Sequence, residues 1–169
     1  MCQGNPAARS VPGETSTNVL AVVRRTNDNH AMATSIQIKP IGVVRSALRD
    51  HRDAPRQAFE GAPPAILEIN PGLVAALHRV TPGTKLIVVT WLHQADRDVV
   101  QVHPMDDACI PLTGVFATRS PDRPNPIGLH RVTVTEIHPP TTVHVDALEA
   151  IDGTPIIDLK VAMREAPDA

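Results

Sequence analysis

Aromatic residues are scarce in this 169-residue chain, which contains Phe59, Trp91 and Phe116 and no tyrosine. Stacking of bases on aromatic side chains is a common way to hold single-stranded nucleic acid. The formal net charge is −2, without the basic excess of proteins that neutralise many phosphates. We therefore expect any contact with nucleic acid to be local.

Cysteine and long apolar runs are also in short supply. Cys2 and Cys109 are the only cysteines, and neither they nor the eight histidines show a spacing typical of a zinc site. The apolar runs are too short to span a membrane, and the N-terminus lacks the pattern of a secretory signal peptide. No Walker loop, dinucleotide fingerprint or nucleophile elbow is present. The sequence predicts a cytoplasmic protein without a metal or a disulfide.

Proline, by contrast, is abundant, at 17 residues. Together with glycine it separates short apolar runs, which favours a β-rich fold over a helical bundle. Residues 1–31 are mostly polar and are predicted to be a disordered or loosely attached N-terminal extension. Residues 32–169 are predicted to form one domain. Met32 directly precedes the first patterned segment, and we hypothesise that it is the natural start.

From residue 35 onward, short apolar runs alternate with turn signals. Asn70-Pro71 predicts the start of a short helix, because Asn is a favoured cap and Pro a favoured first residue. Pro139-Pro140 predicts a hairpin corner, and Asp152-Gly153 is a second turn signal. The predicted strands are 35–46, 65–69, 85–93, 99–103, 113–118, 129–138, 142–148 and 155–163. Strands at this spacing predict an all-β barrel or sandwich with one or two helical segments.

The most informative segment is a proline-rich loop between two of these strands, within GVFATRSPDRPNPIGL at Gly114–Leu129. Its prolines fix φ and bias the preceding residues toward extended geometry, so the loop is stiff. Arg119 and Arg123 are expected to be displayed in set positions, where a guanidinium suits a carboxylate or phosphate. The alternative is a rigid surface loop whose arginines pair with Asp122.

Three further segments carry polar groups suited to binding. Gln57, in Pro55-Arg56-Gln57, offers a donor and an acceptor, although such a segment alone is typical of a solvated loop. His93-Gln94 follows the most apolar strand, and a histidine there is a natural general base unless it merely bonds to solvent or a carbonyl. Gly153, in Asp152-Gly153-Thr154, allows close approach of a ligand to the backbone, although most Asp-Gly turns only close hairpins.

Together and in this order, these motifs resemble the TsaA-like family, whose best-known members are TrmO-type tRNA methyltransferases. The resemblance spans about residues 36–162 and rests on Ile41–Ser46, Pro55–Gln57, Gly114–Leu129 and Asp152–Lys160. It implies an antiparallel β-barrel that binds S-adenosylmethionine and usually works as a homodimer. It also implies methylation of N6 of threonylcarbamoyladenosine, beside the anticodon of certain tRNAs.

The resemblance implies a set of cofactor-binding residues as well. These are Pro55, Arg56, Gln57, His93, Gln94, Arg119, Leu129, Asp152, Gly153 and Thr154. An arginine such as Arg119 or Arg56 suits the carboxylate of the cofactor. The target nitrogen must lose a proton, and His93 and Asp152 are both candidates to accept it.

The sequence indicates the substrate less specifically than it indicates the cofactor. A cluster of arginines is placed to contact an anticodon loop: Arg45, Arg49, Arg52 and Arg56. Against this, the segment 103–109 carries Asp106 and Asp107, which would repel phosphate, where many members of the family have a basic segment. A methyltransferase acting on a small molecule and a non-catalytic S-adenosylmethionine-binding module are therefore kept as alternatives.

Overall fold

The structure is a computed structural model that describes residues 36–55 and 57–163. The chain divides into two units, Met1–Lys39 and Pro40–Ala169. Of the first unit, residues 36–39 are described, and they contain no helix or strand. The predictions for residues 1–31 and for a start at Met32 lie outside the described residues.

Eight β-strands are described in the second unit. They are β1 Gly42–Arg45, β2 Ala65–Ile69, β3 Lys85–Trp91, β4 Gln101–Val102, β5 Thr113–Gly114, β6 Ile127–His138, β7 Thr142–Val145 and β8 Pro155–Val161. Four 3₁₀ helices are described: Ala58–Glu60, Pro71–Leu77, Pro104–Asp106 and Val115–Ala117. The predicted antiparallel β fold with short helical segments is confirmed, and the described helical segments are 3₁₀ helices.

Six of these strands close into an antiparallel barrel in the order β1–β2–β7–β6–β3–β8, while β4 and β5 form a separate pair. Alternate residues of each barrel strand face inward, as the period of two requires. The apolar core is formed by Val44, Leu67, Ile69, Leu86, Val88, Val132, Val134, Val143, Val145 and Ile156. Burying each such side chain contributes about 1.5–3 kcal/mol, so the barrel supplies a rigid scaffold.

The helix predicted after Asn70 is confirmed as the 3₁₀ helix Pro71–Leu77. The Asn70 Oδ1 atom accepts the backbone N–H of Gly72 at 2.9 Å, which satisfies one of the unpaired donors at the start of the helix. The hairpin predicted at Pro139-Pro140 is also confirmed, since β6 and β7 pair up to His138 and Thr142.

Several predicted strands are wrong over part of their length. The predicted strand 99–103 is limited to Gln101–Val102, and 142–148 is limited to Thr142–Val145. The strand at 35–46 is limited to Gly42–Arg45, because Pro40 has no N–H to donate and pairing starts only at Ile41 N–H to Ile156 O, 2.8 Å. In the strand at 113–118, only Thr113–Gly114 pairs, and Val115–Ala117 turns into a 3₁₀ helix. Arg123 donates to the carbonyls of Val115 and Thr118 and so stabilises that turn.

Candidate functional site

The barrel has one end at which three long connections meet. Register places Trp91 of β3 opposite Ile127 of β6, and Thr90 opposite Ile156 of β8. The C-terminal ends of β1, β3 and β7 therefore share this end with the N-terminal ends of β2, β6 and β8. We call it the loop end. Residues 46–64, 92–126 and 146–154 connect the strands there. Apart from Leu129, which lies in β6 on the barrel's outer face, every residue implied in cofactor binding belongs to one of these connections.

The proline loop is braced from within by Arg123. Its Nε donates to Ser120 O at 2.7 Å, and its Nη2 donates to Thr118 O at 2.6 Å and Val115 O at 3.1 Å. The expectation that Arg123 is displayed for a ligand is wrong, because its half-buried guanidinium is turned inward and donates to these three carbonyls. Arg119 is exposed, and among the described residues it makes no hydrogen bond or ion pair. It is the arginine of this loop that is available to a ligand.

Within connection 92–126, hydrogen bonds join the proline loop to the segment after β3 that carries His93 and Gln94. The Leu92 N–H donates to Pro126 O at 2.8 Å, and the Asp96 N–H donates to Asp122 Oδ1 at 2.8 Å. Asp122 thus holds a backbone amide and pairs with neither arginine of its loop. These bonds place His93 and Gln94 beside the proline loop.

Arg97 adds a contact that sequence reasoning missed. Its Nε donates to Pro124 O at 3.1 Å, and its guanidinium carbon lies 5.3 Å from the centre of the Trp91 ring. A cation at this distance from a tryptophan face is attracted to it. The only available signal in the sequence was an arginine six residues after the single tryptophan, which is too common to interpret.

The residue His93 as a whole is exposed, but its imidazole ring is partly shielded from water. Burial lowers the pKa of His93 from its ordinary value of 6.5. The imidazole is therefore neutral at pH 7 and has a lone pair with which to accept a proton.

The Asp152-Gly153-Thr154 turn does not close a hairpin between β7 and β8, which are not neighbours in the barrel. It is attached instead to β1 and the connection that follows. The Asp152 N–H donates to Leu48 O and the Gly153 N–H to Val44 O, both at 2.8 Å. Gly153 has a φ of +80°, which favours glycine, and a Cβ built there would meet no atom within 4 Å. The turn therefore presents an open backbone surface.

The side chain of Asp152 is already engaged on both oxygens. Oδ1 accepts the Ser46 N–H at 3.1 Å, and Oδ2 accepts from Arg49 Nη1. The carboxylate thus joins the turn to the segment after β1. Both oxygens of Asp152 are therefore engaged in holding the protein's own structure, which distinguishes it from His93 as a candidate base.

The segment Pro55–Gln57 lies in the connection between β1 and β2. Pro55 and Gln57 are half-buried, and Arg56 lies outside the described residues. The Gln57 N–H donates to Glu60 Oε2 at 3.2 Å, which holds the start of the 3₁₀ helix Ala58–Glu60. Pro63 O accepts the Leu148 N–H at 3.0 Å, so this connection is joined to the one that carries Asp152.

A cluster of polar side chains, formed by Thr90, His130 and Glu149, lies inside the barrel near the loop end. The Thr90 Oγ1 and His130 Nε2 atoms are 2.8 Å apart, and His130 Nδ1 is 2.8 Å from Glu149 Oε1. Glu149 Oε2 is buried without a hydrogen-bond partner. Burial pushes the pKa of Glu149 upward, but the hydrogen bond and charge of His130 outweigh it and lower the pKa. The signal was a histidine at an inward position of β6, between Gly128 and Val132, where an apolar residue is expected.

The predicted arginine cluster is largely neutralised by carboxylates. Arg45 Nε lies 2.7 Å from Glu68 Oε2, and Arg52 Nη2 lies 2.6 Å from Asp50 Oδ2. The hydrogen bond from Arg52 holds the pKa of Asp50 well below its usual range. Arg49 pairs with Asp152. The cluster at Arg45, Arg49 and Arg52 therefore offers less net charge than its sequence suggests.

The described residues offer neither a metal site nor a membrane-spanning helix. Within residues 36–55 and 57–163, no three His, Cys, Asp or Glu side chains are grouped so that they could hold a metal ion. No helix in the same part of the chain is both long and apolar enough to cross a membrane.

Comparison with known proteins agrees with this arrangement. Residues 43–167 match the family described as tRNA-methyltransferase O N-terminal domain. An S-adenosyl-L-methionine-binding protein of Archaeoglobus fulgidus is 39% identical over 123 residues, covering 73% of this chain and 86% of its own length. A probable S-adenosyl-L-methionine-binding protein of Rhizobium radiobacter, VirR, is 38% identical over 120 residues, covering 71% of this chain and 67% of its own length.

The crystal structure of TrmO from Pseudomonas aeruginosa shares the fold. It has a TM-score of 0.64 and 26% identity, and the match covers 82% of this chain and 62% of that chain. A second Archaeoglobus fulgidus relative, 39% identical, is matched over only 33% of its length. Several of these relatives are thus longer than the region they share with this chain. The matched region includes the whole barrel and all three connections at its loop end, and the chain belongs to the family of tRNA-methyltransferase O N-terminal domains.

Proposed function

We propose that this protein is an S-adenosylmethionine-dependent methyltransferase whose substrate is tRNA, and that it methylates N6 of threonylcarbamoyladenosine next to the anticodon. The observation that carries the proposal is the convergence of the Arg119, His93-Gln94, Asp152–Thr154 and Pro55–Gln57 segments at one end of the barrel. Hydrogen bonds join connection 46–64 to connection 146–154, and others within connection 92–126 hold His93-Gln94 beside the proline loop. Family membership and relatives described as S-adenosyl-L-methionine-binding proteins support it.

The described residues fit the chemical groups of S-adenosylmethionine. The exposed guanidinium of Arg119 suits the carboxylate. Leu129 offers an exposed apolar surface for the adenine, and the open turn at Gly153 allows close approach. When bound, the cofactor supplies a methyl group on a positively charged sulfur. In-line transfer of that group requires positioning above all, and stiff, braced loops provide it.

His93 is the proposed general base. Its ring is neutral at pH 7, whereas both oxygens of Asp152 already accept hydrogen bonds. As N6 of the substrate gains the methyl carbon, its proton passes to an imidazole nitrogen of His93, which becomes an imidazolium ion. The bound cofactor would supply the methyl group from its positively charged sulfur and would leave as a neutral thioether, so the positive charge would pass to the imidazolium of His93. Asp152 is assigned the role of positioning the turn.

We expect Arg119→Ala to weaken S-adenosylmethionine binding about tenfold, because a charge-assisted bidentate hydrogen bond to the carboxylate is lost. Arg119→Lys should recover part of the affinity, since lysine keeps the charge without the planar fork. Isothermal titration calorimetry measures both values. An unmodified protein that binds no S-adenosylmethionine would overturn the proposed function altogether.

We expect His93→Gln to lower kcat for methyl transfer about a hundredfold, as is usual for the loss of a general base. The rate of the unmodified protein should rise with pH through a pKa below 6.5 and then level off, because only the neutral imidazole accepts the proton. That step should be absent from His93→Gln and present in Asp152→Asn. Single-turnover transfer of a labelled methyl group across pH measures this, and the reverse pattern would assign the base to Asp152.

A homodimer is part of the proposal. Phe116 is 87% exposed, Leu129 62% and Ile127 43%. Ile127 and Leu129 occupy alternate, outward positions of β6, and Phe116 belongs to the connection that precedes that strand. Exposed apolar side chains on one face, such as Ile127 and Leu129, are typical of an interface. Sedimentation equilibrium measures the mass of the assembly directly. A cytoplasmic location agrees with a tRNA substrate and stays part of this proposal.

A methyltransferase acting on a small molecule is the second candidate, because carboxylates neutralise Arg45, Arg49 and Arg52. Labelled methyl groups that enter a metabolite extract and leave threonylcarbamoyladenosine-containing tRNA unlabelled would favour it. Cofactor binding with no transfer to either would favour the non-catalytic module. Comparison of the modified nucleosides in total tRNA from a deletion strain and its parent tests the tRNA substrate directly.

A further inference from the structure

A groove of about 580 Å³ lies on the barrel where β1 ends and β2 begins. The sequence indicated two of its arginines, Arg45 and Arg49, as members of a cluster, but not the groove that they line. Its volume is in the range of ligand-binding cavities, which is roughly 300–1,000 Å³. Its polar lining consists of Arg45, Ser46, Arg49, Thr135, His144 and Asp152. Asp152 is the only one of these implied in cofactor binding, so the groove adjoins the candidate cofactor site and is largely separate from it.

Strand register explains why these polar side chains lie together. Arg45 of β1 pairs with Ile66 of β2, and Ile66 pairs with His144 of β7. Their inward-facing neighbours, Val44 and Val145, belong to the apolar core, so all three point outward along one row. Thr135 lies where the β6–β7 register shifts between Val134 and Glu136. A bulge at such a shift redirects a side chain.

Two guanidinium groups are held in this lining by carboxylates. Arg45 uses Nε toward Glu68, and Arg49 uses Nη1 toward Asp152. A guanidinium has five N–H donors, so these ion pairs leave Nη1 and Nη2 of Arg45, and Nε and Nη2 of Arg49, able to donate elsewhere. The side chains are 48% and 73% exposed, which leaves them accessible. The ion pairs restrict the guanidinium orientations, and such preorganisation lowers the cost of binding.

We propose that the groove binds an oxyanion of the substrate through Arg45 and Arg49. The planar fork of arginine suits phosphate and carboxylate alike. This inference rests on the proposed function, whose substrate carries both groups: the phosphates of the anticodon loop and the carboxylate of the threonyl group. Asp152 links the groove to the turn of the cofactor site, because its carboxylate holds Arg49 while its backbone begins the turn.

The test uses Arg45→Ala and Glu68→Gln in the full-length protein, because Arg45 is not among the residues assigned to the cofactor. Binding of a fluorescent anticodon stem-loop containing threonylcarbamoyladenosine is measured by anisotropy over a range of salt concentrations. We expect Arg45→Ala to raise Kd about tenfold. Glu68→Gln removes the negative charge that competes with the oxyanion but keeps a side-chain oxygen that can accept from Arg45 and orient it, so Kd should fall. Arg45→Lys should fall between Arg45→Ala and the unmodified protein.

Two arms distinguish the sources of the oxyanion. If it is a phosphate, Arg45→Ala should weaken binding of the same stem-loop with unmodified adenosine as well, and the slope of log K against log salt should fall in magnitude by about 0.7. If it is the threonyl carboxylate, only the modified stem-loop should lose affinity. An unchanged Kd and salt slope in Arg45→Ala, with cofactor binding intact, overturns the groove proposal alone. The calorimetric experiment with S-adenosylmethionine tests the proposed function separately.

Discussion

Gly128→Ala is expected to lower the free energy of unfolding by about 3 kcal/mol, at the upper end of the usual cost of overpacking a core. A Cβ at this position would lie 2.4 Å from Thr90 Oγ1, 2.5 Å from His130 Nε2 and 3.1 Å from Leu92 Cδ2. Thr90 and His130 are both buried and hydrogen-bonded to each other, so neither can move aside without breaking the polar cluster. Urea denaturation followed by the fluorescence of Trp91 measures the change, because Trp91 pairs with Ile127 beside the substituted residue.

Gly114→Ala is the matched control in the same stretch of sequence. Gly114 has an ordinary φ of −61°, and a Cβ there would meet no atom within 4 Å. We expect a change of less than about 0.5 kcal/mol, as for other surface substitutions. Equal stability of the two variants would contradict the assignment of Gly128 to a close contact inside the barrel.

Arg123→Ala is expected to destabilise the protein by about 3 kcal/mol and to weaken S-adenosylmethionine binding at least tenfold. Its three hydrogen bonds to Ser120, Thr118 and Val115 are charge-assisted, and their loss leaves partly buried carbonyls without partners. The proline loop then loses the contacts that hold it against the 3₁₀ helix Val115–Ala117. Urea denaturation and calorimetry together measure the two effects.

Arg119→Ala separates the two effects, because Arg119 belongs to the same loop but is exposed. It should change the free energy of unfolding by less than about 0.5 kcal/mol and affect only cofactor binding. An Arg123→Ala protein of full stability and full affinity would show that the loop keeps its shape without the internal guanidinium.

Sequence reasoning succeeded where a local pattern decides the structure. The strand Ala65–Ile69 was predicted to the residue, because a short and mostly apolar run is bounded there by Pro64 and Asn70. The turn at Asn70-Pro71 followed from capping chemistry. The segments of the candidate site were identified through a resemblance, since no single segment was specific on its own.

Sequence reasoning failed where distant residues decide the outcome. Arg119 and Arg123 belong to the same proline-rich stretch, yet one is exposed and the other donates to the carbonyls of Val115, Thr118 and Ser120. Asp152 looked like a free carboxylate until Ser46 and Arg49, more than a hundred positions earlier, were placed against it. His130 was not singled out from the sequence, although it bonds to both Thr90 and Glu149 inside the barrel. None of these contacts produces a repeating pattern that could be recognised in the sequence alone.

Closure of the barrel has a consequence for biosynthesis. Gly42 of β1 pairs with Ile156 of β8, two residues 114 positions apart, from 156 − 42. Contacts between residues so far apart in the chain form late in folding, because closing a large loop costs entropy before the contacts can stabilise the structure. The turn at Asp152 obtains its partners Val44 and Leu48 only through that closure. In a ribosome-bound chain that has not yet released its last strand, the proposed cofactor site is therefore not assembled, and we expect affinity for S-adenosylmethionine only once the barrel is complete.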